Sequence, residues 1–220
     1  MKKAIPTMRA QTWWTLAGLA VVGALIVALA VELTHGPPGD GDGRRAQADR
    51  AQRGPDTPEV LADLRRRADL PSCPAAAVGA GPAALRGVTV ECAADGSVVD
   101  VAPALAGRVA VLNLWAYWCG PCAEELPAMA DYQQRAGAAV TVVTVHQDEN
   151  EAAALARMAD LGVRLPVLQD GQREIAAALS VPNVMPTTVV LRQDGSVAKV
   201  LPQAFTSADE IAAAVDGALR

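Results

Sequence analysis

The spacing of apolar residues changes several times along the chain, and each change predicts an element. From Trp13 to Val31 the run is continuous, with no charge over 19 positions. As a helix at 1.5 Å per residue it extends roughly 28 Å, close to the ~30 Å hydrocarbon core of a bilayer. Residues 34–58 are the reverse, rich in Gly, Pro, Asp and Arg and almost without large apolar side chains. Such a stretch cannot bury enough surface to offset its ordering entropy, so it reads as a flexible tether. As a coil of about 25 residues its ends average roughly 28 Å apart. Helical spacing returns over residues 59–70, where Val60, Leu61, Leu64 and Ala68 share a face and Pro71 ends the pattern. Residues 87–92 and 97–101 alternate as two strands joined by Ala-Asp-Gly, a hairpin signal. Beyond Val109 the pattern is regular. Residues 109–115, 139–145, 165–169, 187–192 and 197–201 predict strands, and residues 119–137, 149–161, 173–179 and 207–219 predict helices. Pro127 is a candidate kink in the first of these helices, and Ser207 with Glu210 forms a capping box at the start of the last. Alternating strands and helices imply an α/β fold, a mixed central sheet with helices on both faces.

Lys2, Lys3 and Arg9 precede the apolar run, and the positive-inside tendency leaves that end in the cytoplasm. The chain then divides into a cytoplasmic N-terminus (1–12), a transmembrane signal-anchor (13–31), a flexible linker (32–58) and a folded extracytoplasmic domain (59–220). Trp13 and Trp14 suit the headgroup level, and lipid is a partner through residues 13–31. Ala28-Leu29-Ala30 also fits the small-x-small pattern of a cleaved signal peptide, so a secreted form cut after Ala30 stands as the alternative. The apolar run is longer than the usual core of such a peptide. Either way the folded part is exported.

Composition sharpens this picture. The chain is 51% hydrophobic but 3% aromatic, which requires an aliphatic, Ala-rich core. A net charge of −5 without a basic stripe excludes nucleic acid as a partner. Of the few aromatics, Trp115, Tyr117 and Trp118 crowd one pair of cysteines. Trp118 is the site candidate, and Trp115 fits a core position equally well.

That pair carries the chemistry. Trp118-Cys119-Gly120-Pro121-Cys122 follows the strand at 109–115 and opens a helix. A helix N-terminus carries roughly half a positive charge, which favours a thiolate on the first sulfur. Cys119, exposed at the helix start, is the expected nucleophile, and the more buried Cys122 resolves the mixed disulfide. Gly120 and Pro121 set the geometry of the turn. Cys73 and Cys92 are expected to form a structural disulfide, as two further cysteines in an exported domain most often do. Closing that loop stabilises by about 3 kcal/mol in the chain-entropy model. A second redox pair or free thiols are the alternatives. With a single C-x-x-C pair and no nearby ligand His, no zinc or other metal is expected, and no cofactor. His146 reads as a loop residue rather than a site member, and Asp148, Glu149 and Glu151 as a charge cluster at a helix start.

Residues 109–219 resemble a thioredoxin fold. The run Asn113-Leu-Trp-Ala-Tyr-Trp-Cys-Gly-Pro-Cys-Ala-Glu-Glu-Leu-Pro127 is similar to the TlpA/ResA (DsbE-like) branch of that superfamily, membrane-tethered extracytoplasmic thiol–disulfide oxidoreductases. Val184-Met185-Pro186-Thr187-Thr188 resembles the loop that holds a cis proline opposite the active disulfide. The helix and strand between Glu149 and Gln169 resemble the insertion of this branch. The resemblance implies that Pro186 is cis and that Met185 and Thr187 contact an extended client segment in the manner of an added strand. It puts Asn113 where thioredoxin has a buried Asp. Glu125 matches an acid of the branch, with a role in proton transfer at Cys122, and a solvated helix face is the alternative reading. Glu124 reads as solvated.

The partners implied are protein thiol or disulfide clients and a membrane electron donor or acceptor of the thiol–disulfide type. Three functions follow: a reductase, for instance of apocytochrome c cysteines, an oxidase donating disulfides, or a scaffold with a fixed crosslink. No Pro-x-x-x-Thr-x-x-Cys pattern supports a peroxidase.

Overall fold

The computed structural model describes residues 56–79 and 81–220. The predicted N-terminus 1–12, the transmembrane segment 13–31 and all but the last three residues of the linker 32–58 lie outside the described residues. Among the described residues no helix is long and apolar enough to cross a membrane.

Helix α1 (Pro58–Ala68) starts one residue earlier than its apolar spacing predicts, because Thr57 caps it, its Oγ1 accepting from Val60 N at 3.4 Å. Asp69, in the left-handed conformation (φ 46°), ends it two residues before Pro71, the predicted terminator. Leu61, Leu64 and Ala68 face inward, but Val60 is 46% exposed and leaves the predicted face. The hairpin forms as predicted from β1 (Thr89–Cys92) and β2 (Val98–Asp100). It leads into a short helix, α2 (Val101–Ala104), that the strand pattern concealed.

Strand β3 (Ala110–Trp115) feeds helix α3 (Gly120–Ala136), which runs on through an exposed Pro127. Strand β4 (Thr141–His146) reaches one residue beyond the predicted strand and takes in His146. Helix α4 (Glu151–Leu161) is capped by Asn150 and stopped by Gly162, whose φ of 65° suits glycine. Strand β5 (Val167–Gln169), helix α5 (Glu174–Ala178) and the antiparallel strands β6 (Thr187–Leu191) and β7 (Val197–Leu201) follow, and α6 (Ala208–Leu219) closes the chain. Ser207 Oγ accepts from Glu210 N at 3.3 Å, but the Glu210 carboxylate reaches Thr206 N rather than the amide of Ser207, so the predicted capping box is half made.

The seven strands form one sheet in the order β2-β1-β5-β4-β3-β6-β7. Its centre is parallel (β3, β4, β5), and antiparallel strands flank it on both sides. Alternation along β3 divides the core. Val111, Asn113 and Trp115 face α3, while Ala110, Leu112 and Leu114 face the other layer. The first layer also holds α1, α4 and α6, and the second holds α2 and α5. Alanines from α4 and α6 fill much of the first, as the composition required. Cys73 and Cys92 are bonded, which ties the segment after α1 to β1.

Candidate active site

Cys119 and Cys122 form the second disulfide, at the point where β3 ends and α3 begins. Cys119 is the N-cap of α3, and its Sγ accepts from Cys122 N at 3.3 Å. One of the helix's unpaired amides is therefore aimed at Cys119 Sγ, where the macrodipole also favours negative charge. Cys119 is 6% exposed and Cys122 is 0% exposed. Cys119 is the more accessible of the two residues, as its predicted role requires, but it is far less exposed than the sequence suggested, because it joins the core cluster that holds Trp115, Ala116 and Tyr117. Pro121 lies in the first turn, where a missing N–H costs nothing. Gly120 has ordinary φ, and a Cβ built on it meets nothing within 4 Å. The turn therefore has no steric need for that glycine, contrary to the geometric role expected of it.

Beneath the disulfide lies a buried polar strip. Asn113 of β3 is flanked in register by Thr144 of β4 and Thr188 of β6, and all three are 0% exposed. Glu125, one turn beyond Cys122 on α3, faces this strip and is also 0% exposed, so it is not on a solvated face. Asn113 Nδ2 donates to Glu125 Oε2 at 2.6 Å, and Phe205 N donates to Oε1 at 3.0 Å. Burial raises the carboxyl pKa from 4.5 to about 7, outweighing the two hydrogen bonds that favour the anion. Asn113 Oδ1 and Thr188 Oγ1 have no partner among the described residues. Glu124, by contrast, is exposed, as expected.

The Met185–Pro186 bond is cis. Thr187 pairs with Leu114, so the loop before β6 enters the sheet at the end where β3 leaves it, and Met185 packs on the core cluster that contains both active-site cysteines. Val184 (51% exposed) and Trp118 (37% exposed) are the large apolar side chains left at this rim. Thr187 departs from its expected role. It is 0% exposed and its hydroxyl donates to Val184 O at 2.6 Å, so the side chain braces the loop instead of facing a client.

Sequence reasoning underrated two neighbours. His146, read as a loop residue, ends β4, is 0% exposed and packs its ring at a tilt, centroids 4.9 Å apart, against Trp115. Glu151, assigned to a charge cluster at a helix start, is buried and ion-paired to Arg65 of α1 at 2.9 Å. Its partner is 86 positions away, beyond the reach of any local pattern.

Residues 74–215 match the Redoxin family. The thiol-disulfide oxidoreductase ResA of Bacillus subtilis is 35% identical over 103 residues, covering 46% of this chain and 57% of the relative. The chain thus spans little more than half the length of the ResA relatives it matches. A secreted Mycobacterium tuberculosis disulfide oxidoreductase homologous to E. coli DsbE superimposes with a TM-score of 0.53 at 27% identity, over 61% of this chain and 97% of that one. A DsbF homologue from Corynebacterium diphtheriae gives 0.54 at 26% identity, over 63% and 85%. With a match over residues 74–215 and a fold shared with these structures, the chain belongs to the Redoxin family and is similar to the ResA thiol-disulfide oxidoreductases.

Proposed function

We propose that the protein is a membrane-anchored, extracytoplasmic thiol–disulfide oxidoreductase that reduces disulfides in protein clients. The observation that carries this reading is the Cys119–Cys122 pair at the N-terminus of α3, above a buried acid whose pKa burial raises to about 7. In the reduced protein the Cys119 thiolate attacks one sulfur of a client disulfide. The client S–S bond breaks, its other sulfur leaves as a thiolate and takes a proton from water, and a mixed disulfide forms. The Cys122 thiol then gives its proton to the Glu125 carboxylate and attacks Cys119 Sγ, expelling the second client thiolate. Two electrons have passed to the client, and the cysteine pair is left bonded. Glu125 suits the proton step because its pKa of about 7 lets it accept at working pH and release again.

A membrane donor of the thiol–disulfide type would restore the dithiol. Anchoring through residues 13–31 would hold the domain beside that donor, and the secreted M. tuberculosis relative supports export. Clients would lie along the backbone of Met185, between Trp118 and Val184, and apocytochrome c segments are one candidate class. The same sulfurs run backward in an oxidase. The Gly-Pro between the cysteines leans toward reduction, and a potential near the roughly −270 mV of thioredoxin, rather than roughly −120 mV, distinguishes the two directions.

Replacing Cys122 by Ser tests the proposal. Cys119 should then accumulate as mixed disulfides with clients, identifiable by mass spectrometry. Full reductase activity with no trapped adduct would exclude a two-cysteine cycle.

A further inference from the structure

The peptide that precedes Cys119 is gripped from outside the turn. Tyr117 N donates to His146 Nε2 at 3.3 Å, and Tyr117 O accepts from Arg157 Nε at 3.2 Å. Trp118 Nε1 donates to Asp148 Oδ2 at 2.9 Å. Gln169 joins two of these holds, its Oε1 lying 2.9 Å from His146 Nδ1 and its Nε2 donating to Asp148 O at 2.6 Å. Because the Gln169 amide nitrogen is committed to Asp148, its oxygen faces the imidazole. Nδ1 therefore carries the proton, and Nε2 is left as the acceptor that Tyr117 N requires. Burial keeps the ring neutral, with a pKa of about 4, so this tautomer persists across physiological pH. Asp148 is itself oriented, accepting from Asn150 N at 3.0 Å. These groups come from the end of β4, the loop that follows it, α4 and β5, a region separate from the cysteine helix.

We propose that His146, Gln169, Asp148 and Arg157 form a clamp on the Tyr117–Trp118 peptide that positions Cys119 for exchange. The inference rests on the exchange reading above. In the oxidised protein the S–S bond itself fixes Cys119 over Cys122. On reduction that tether is lost, and Cys119 is held between the first turn of α3, where Ala123 N donates to its carbonyl at 3.2 Å, and the turn before it, where its own N donates to Ala116 O at 3.0 Å. A clamped turn keeps Cys119 Sγ where the Cys122 amide reaches it, and that amide stabilises the thiolate. A loose turn lets the sulfur drift, the thiolate loses its donor, and the reduced form becomes less stable relative to the disulfide. All four are positioning residues, since none is placed in contact with the reacting sulfurs.

The test uses the full-length protein in mild detergent. His146→Phe keeps a ring against Trp115 but removes the acceptor for Tyr117 N, whereas His146→Gln restores an acceptor oxygen. Three quantities are read: thermal melting of the oxidised form, the acid dissociation constant of Cys119 by thiolate absorbance, and the equilibrium constant with glutathione. For His146→Phe the dissociation constant should fall by about threefold or more, and the glutathione equilibrium should move by a similar factor toward the disulfide. His146→Gln should recover much of both. Lower melting with both constants unchanged would overturn the clamp and leave a merely structural histidine. If His146→Phe does not fold, Gln169→Met cuts the same circuit one link away at a half-buried position and is read identically. A wild-type pair that never cycles would instead sink the exchange reading, so the two failures are separable.

Discussion

Replacing Glu125 by Gln removes a buried acid of the cysteine helix, and its effect on stability follows from the structure. The folded carboxyl has a pKa of about 7 against an ordinary 4.5. The native state therefore holds a proton more tightly than the unfolded chain. Stability contributed by the neutral acid is complete below pH 4.5 and is lost as pH rises to about 7. At 1.36 kcal/mol per pH unit the whole loss is about 3 kcal/mol, and most of it falls between pH 5 and pH 8. Glutamine has no proton to lose. Its oxygen still accepts from Phe205 N, and its NH2 can meet the Asn113 oxygen, now without a partner, after that amide rotates. Urea unfolding of both oxidised proteins at pH 5 and pH 8 isolates the term, because other titrating groups cancel in the difference. Relative to wild type, Glu125→Gln should gain roughly 2 to 3 kcal/mol on going from pH 5 to pH 8. Parallel stability profiles would refute the claim that Glu125 is buried with a raised pKa. The same variant should slow resolution of the mixed disulfide by about 100-fold at pH 7, the scale of general acid–base catalysis.

Removing the Cys73–Cys92 bond by a double Ala substitution should cost about 3 kcal/mol by loop-closure entropy, seen in urea unfolding, while exchange activity survives. Arg65→Met strands the buried Glu151 carboxylate, whose side chain is 6% exposed, and should destabilise by about 3 kcal/mol at neutral pH, with part of the loss recovered by adding Glu151→Gln. Asp56 accepts from Glu151 N and Ala152 N at the start of α4, so Asp56→Ala should cost about 1 kcal/mol as a lost cap, measurable by thermal melting.

The redox turn was legible because its chemistry is local. Strand, cysteine pair and helix follow one another within 15 positions, and the Met-Pro-Thr run announces the opposing loop. Periodicity likewise located the strands and longer helices, since period 2 and period 3.6 are local properties of backbone geometry. What escaped depends on tertiary neighbours. The burial of Glu125 is decided by where Asn113 and Phe205 meet it, 12 and 80 positions away. His146 looked like a loop because a single polar residue after a β-branched run marks a strand end, yet Gln169 and Tyr117 satisfy both its nitrogens inside the core. Thr187 carried a family expectation, and its hydroxyl is consumed by the loop's own carbonyl. Val60 fits the apolar stripe of α1 by spacing, but that helix is short and meets the domain along Leu61, Leu64 and Ala68. The hairpin could be foreseen, whereas its antiparallel docking of β1 on β5 could not, because that pairing joins positions almost 80 apart.

The central claim is that Cys119 and Cys122 exchange reversibly between a bonded and a dithiol state. Equilibration of the full-length protein in graded glutathione buffers, with alkylation of each cysteine read by mass spectrometry, tests it most directly. Cys119 and Cys122 should gain and lose their label together in a reversible two-electron transition, with Cys73 and Cys92 still bonded throughout that range. A Cys119–Cys122 bond that stays closed at every ratio, or opens only when Cys73–Cys92 opens, would contradict it.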